Sequence, residues 1–185
     1  MQGHDLTLCK ATIAAVGLCV GLVPMAAQAQ PRIEDYRFGD TQLATVTLVE
    51  DGAQDVQQKL RSMPCVVPAS DRELISQFFR SAGGAYLQFD INSLGVESMT
   101  VSQEPTMTDV CYAPLNQAVP VRTGKGIQLG DSMERVSRMY GEPNQKFQVG
   151  SLIKFRYEGE LDRSYEWDLI FRNGGLVEWS AYARD

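Results

Sequence analysis

Histidine is nearly missing from this 185-residue chain, with His4 its single copy, and that scarcity excludes more chemistry than any residue present. A Ser-His-Asp or Cys-His nucleophile needs an imidazole to take the proton, and a His-based zinc site needs it as a ligand. No Walker loop, dinucleotide fingerprint or EF-hand spacing occurs either. Blocks of positive charge are absent too: the formal charge is −6, spread along the sequence. A phosphate backbone therefore has no electrostatic footprint to meet, and nucleic acid is not expected as a partner. Long apolar runs are scarce. The one extended run, Ala11 to Met25, is too short and too glycine-interrupted to cross a bilayer, so no transmembrane span is expected in the mature chain.

That run follows a polar start ending at Lys10 and closes on Ala27-Gln28-Ala29, the small-x-small pattern read by signal peptidase. Residues 1–29 thus read as a signal peptide cleaved near Ala29, which puts the mature chain in the periplasm or outside the cell. Lipidation at Cys19 is disfavoured, because Leu18 precedes it and the apolar run continues past it. Cleavage removes His4, Cys9 and Cys19 and leaves Cys65 and Cys111, a lone pair that reads as a disulfide in an oxidising compartment. Closing that loop contributes about 4 kcal/mol in the chain-entropy model. The roughly 155 residues left suffice for one core that buries about 70% of the unfolded surface. Neither a metal nor a cofactor is expected.

Along the mature chain, Thr45 to Val49 is a β-branched run ending at the Asp51-Gly52 turn, which predicts a strand. Val56, Leu60 and Met63 share one face of a short helix stopped by Pro64. Ser70 and Glu73 form a capping box before the stripe Leu74, Ile75, Phe78 and Phe79, which predicts a second helix ending at Gly83-Gly84. Leu87, Phe89 and Ile91 alternate, Asn92 to Gly95 turns, and Val96 to Ser102 returns. Glu104 to Gly124 reads as a connector pinned by the disulfide.

Beyond it, Asp131 is the expected N-cap of a helix with Met133, Val136 and Tyr140 inward, stopped by Gly141 and Pro143. Three strands should follow, with Asn173-Gly174 as a type I′ hairpin turn. The fold class is therefore α+β, with short helices on one face of an antiparallel sheet. Residues 30–120 and 121–185 form two α+β halves, each helix, strand, strand, with the look of a diverged duplication.

Carboxylates remain as the one route to acid–base chemistry, through Asp162, Glu166, Asp168 or Glu178. Glu166 and Asp168 alternate with the aromatics of a half-buried strand and should share its outer, solvated face. Lys154 and Arg156, and Tyr182 with Glu178, should project the same way. Lys154, Arg156, Glu166, Asp168 and Tyr182 are thus the candidate protein-contact face. Trp167 and Trp179 fall on the inward side, where core packing is expected and each indole N–H needs an acceptor. No catalytic residues are assigned, and the chain is not expected to be an enzyme; a histidine-free hydrolase with paired carboxylates is the alternative.

The segment Gly126-Ile127-Gln128-Leu129-Gly130-Asp131-Ser132, with Tyr140-Gly141-Glu142-Pro143 after the helix and Phe171-Arg172-Asn173-Gly174 before the last strand, resembles the SmpA/BamE-like envelope-assembly module over residues 124–183. More loosely it is similar to tandem β-lactamase-inhibitor-like folds. The resemblance implies helices on a small antiparallel sheet and a binding role, with another envelope protein as the partner.

Overall fold

The structure, a computed structural model, describes residues 41–68, 73–160 and 164–184. The signal segment, the Ser70 cap and Asp162 lie outside them. In chain order the described elements are β1 (Gln42–Leu43), β2 (Val46–Thr47), α1 (Ala53–Leu60), β3 (Cys65–Pro68), β4 (Ile75–Arg80), β5 (Tyr86–Asn92), β6 (Gly95–Ser102), β7 (Ala113–Pro114), α2 (Met133–Tyr140), β8 (Gln145–Val149), β9 (Leu152–Glu160), β10 (Ser164–Arg172) and β11 (Gly175–Arg184). The molecule is α+β, dominated by one sheet. Among the described residues, no helix is long and apolar enough to cross a membrane.

The sheet runs β3-β4-β5-β6-β11-β10-β9-β8, antiparallel throughout, with β7 added in parallel beside β4. Each half is a helix followed by a four-strand meander, and the last strand of each meander meets the other at the centre. This corrects the expected helix, strand, strand layout: one meander strand was missed in each half, β3 and β8, another, β4, was assigned to a helix, and the 104–124 connector holds the short β7.

Ile75–Arg80 is that misassigned segment. Its apolar residues fit a helical stripe, yet it is a strand in which Gln77, Phe78 and Phe79 are all buried. Period-two alternation fails there because both faces are covered. Phe79 packs on Phe89 at 6.0 Å on one side, while Phe78 meets the Tyr112 ring at 5.4 Å on the other. Tyr112 follows Cys111, which is bonded to Cys65 as expected, so the disulfide brings an aromatic lid over the far face.

Other expectations shift by smaller amounts. The Thr45–Val49 run is not one strand. Ala44 and Thr45 both adopt positive φ, 51° and 77°, and fold β1 onto β2 as a tiny hairpin. Helix α1 ends at Leu60 with Arg61 left-handed, leaving Met63 exposed rather than inward. The α2 cap is Ser132, whose Oγ accepts from the Arg135 N–H at 3.3 Å. Asp131, the expected cap, instead accepts from the Gln128 N–H and pairs with Arg135. β8 was not foreseen, because every one of its residues is exposed and an edge without a buried face leaves no apolar period.

Strand register sorts the sheet into cross-strand rows. Gln77, Phe89, Met99, Ala181, Trp167 and Tyr157 form one, and Phe79, Leu87, Val101, Trp179, Leu169 and Phe155 its same-face neighbour. Gln77 donates to the Ala53 carbonyl at the start of α1, and Tyr157 donates to the Gly141 carbonyl after α2. Trp167 and Trp179 are core residues, 1% and 0% exposed. The Trp179 indole N–H, however, finds no acceptor among the described residues.

Candidate functional site

The two intervening rows point to the opposite face, and they are polar. One runs Gln88, Thr100, Ser180, Asp168, Arg156; the other runs Ser76, Asp90, Ser98, Tyr182, Glu166, Glu158. The alternation that drives Trp167 and Leu169 into the core obliges Glu166 and Asp168 to this side. Lys154, Arg156 and Tyr182 stand on the same face.

Exposure differs from the expectation. Glu166 and Asp168 are only 4% and 7% exposed, so they do not form a solvated patch. Neighbouring long side chains cover them. Arg156 donates from Nε to Asp168 Oδ1 at 3.0 Å and from Nη2 to Oδ2 at 3.1 Å, while its Nη2 also lies 2.9 Å from Glu166 Oε1. Lys154 Nζ reaches Asp168 Oδ2 at 2.5 Å, and Arg184 closes on Glu166 Oε2. Two carboxylates are thus shared among three cations. The Asp168 hydrogen bonds, foremost, hold the Arg156 guanidinium above its usual range against the opposing cost of burial.

Asp90 is held differently, by neutral donors. Ser76 Oγ and Ser98 Oγ each donate to it at 2.6 Å, and Gln88 Nε2 at 2.9 Å. Between Asp90 and Glu166 lies Tyr182, whose phenol is pushed up chiefly by burial. Asp90, Glu97, Ser98, Glu166, Asp168, Tyr182 and Arg184 line an open trough of about 360 Å³. Sequence reasoning missed Asp90 and Ser98; they lie in the other half, and only the β6–β11 pairing brings them alongside Tyr182.

Glu178 sits at the margin of this face, half-buried, with its carboxyl raised above the usual range by desolvation and partly offset by Ser180 and Lys154. Among the described residues, no group of three acidic, thiol or imidazole side chains converges as a metal ion would require.

The fold and face define an α+β protein with a polar, ion-paired sheet surface. No family model matches the chain, and no curated protein sequence does. Solved structures match the chain only at low similarity. A DUF4309-family protein of Bacillus subtilis matches at 12% identity and TM-score 0.43, over 75% of this chain and 82% of its own. An extracellular SCP-domain protein of Bacillus anthracis matches at 12% and 0.44, over 71% of this chain but only 42% of its own. A candidate β-lactamase inhibitor protein of Streptococcus mutans matches at 13% and 0.27, over 73% and 83%. At this level of similarity none of the three bears on the β-lactamase-inhibitor-like resemblance, and the SmpA/BamE-like resemblance has no counterpart among them.

Proposed function

We propose that the chain is an exported, non-catalytic binding module, of envelope-assembly or inhibitor-like character, that acts by contact with another envelope protein. Its contact surface is the sheet face bearing Lys154, Arg156, Glu166, Asp168 and Tyr182. One observation carries this reading: both central carboxylates already have their oxygens bonded to Arg156, Lys154 and Arg184. Such groups are poorly placed to move protons, but they make a fixed charge pattern of the kind that complementary surfaces recognise. The disulfide supports export. Residues 1–29 are then the signal peptide, and 30–120 and 121–185 are two diverged halves, a reading favoured by the repeated helix and meander.

Immobilised chain should retain a specific partner from envelope extract. Lys154→Gln combined with Arg184→Gln keeps Arg156 to hold both carboxylates, so the fold should persist while retention falls. Unchanged affinity and unchanged salt dependence would remove this face from the reading. Glu178 favours the second reading, a histidine-free hydrolase, since a half-buried carboxyl of raised pKa suits a general acid. Hydrolysis by the wild type that Glu178→Gln abolishes would establish it.

A further inference from the structure

The two ends of the sheet are finished differently. At one end, β3 is flanked by Pro64 and closes on Pro68, which lacks an N–H; it is bridged through Cys65 to Cys111, and β7 continues the pairing with β4 where β3 stops. Such an edge resists added strands. At the other end, β8 reads Gln145-Lys146-Phe147-Gln148-Val149, without proline or glycine, and all five residues are exposed. Phe147 is 43% and Val149 75% exposed. Among the described residues nothing pairs with its outer side.

We infer that β8 is a homodimerisation edge whose occupant is β8 of a second copy, paired antiparallel about a two-fold axis at Phe147. The register makes this specific. β8 and β9 are joined through Gly150 and Ser151 with Val149 opposite Leu152, and Gly150 has φ +60°. In a two-residue hairpin the closing pair exchanges hydrogen bonds, and the pattern then alternates. Gln145, Phe147 and Val149 therefore spend their main-chain groups on β9. Those of Lys146 and Gln148 face outward.

A two-fold centred on Phe147 sets Lys146 against Gln148 of the second copy and the reverse, so every outward group is matched. It also places the two Phe147 rings side by side as a non-hydrogen-bonded pair, the closer type of cross-strand contact. Each lysine meets a neutral glutamine, so no like charges stand directly opposite. Stable interfaces bury about 1,200–2,000 Å², more than a five-residue edge supplies, so the dimer is weak and depends on concentration. It does not rest on the proposed contact face.

Sedimentation velocity on the purified exported chain tests the inference from micromolar to millimolar concentration. The weight-average mass should climb from one copy towards two. Lys146→Pro removes an outward donor but no bond to β9, and should hold the chain monomeric with its circular dichroism unchanged. Should that variant misfold, Phe147→Lys decides, since it sets like charges face to face. Phe147→Cys should form a disulfide dimer on mild oxidation, whereas Lys146→Cys should not. A monomer at every concentration, a dimer that survives both Lys146→Pro and Phe147→Lys, or equal cross-linking at 146 and 147 would overturn it.

Discussion

Gly95 shows how a single hydrogen atom can be a structural requirement. A Cβ there would stand 2.3 Å from the Val49 carbonyl oxygen, and φ is +128°. Val49, itself at φ +67°, is tied to Val96 through its N–H, and Val96 returns a bond to Asp51. Gly95→Ala should therefore cost about 2–5 kcal/mol, strain and overpacking together. Gly174→Ala, at positive φ with nothing within 4 Å, should cost about 1 kcal/mol. Urea melts of the pair separate collision from conformation alone.

Trp179 lies in the core row between Val101 and Leu169, and Trp179→Ala should cost about 3–5 kcal/mol in the same melts. Glu178 carries a pH dependence. Burial raises its folded pKa, so the folded state keeps a proton that the unfolded chain has released, and stability falls as pH rises through that window. Glu178→Gln should stabilise the protein at neutral pH and bring no gain below about pH 4, where the carboxyl is protonated in both states. Melting temperatures across that range read the crossover.

At the scale of elements, the two helices and the half-buried strands were legible, and the strands that depart from alternation were not. β5, β9, β10 and β11 alternate because one face meets the core and the other does not. β4 broke the rule because Tyr112 covers its second face, a contact made only through the distant Cys65–Cys111 bridge. β8 broke it by having no buried face. The outer-face residues of β9, β10 and β11 were legible by parity, but their burial was not, since parity says which way Asp168 points and nothing about Arg156 folding over it. Asp168→Ala should thus cost about 2–3 kcal/mol, a buried-pair penalty discounted for the partial exposure of its partners. A loss under about 0.5 kcal/mol in denaturant melts would show the ion pairs to be ornamental.

For the whole molecule, protection should follow position in the sheet. Amide exchange should be slowest in β6, β10 and β11, which are paired on both sides, and fastest in β8. The central place of β11 also bears on how the chain is made. The last of the described strands in chain order is not an edge but the keystone between two meanders, and it pairs with both β10 and β6. The first meander must therefore wait, with the β6 edge open, until β11 has emerged. Such late, long-range closure is slow and leaves a strand edge free to find wrong partners. A chain lacking β11 would expose two sticky edges, β6 and β10, instead of losing one tail.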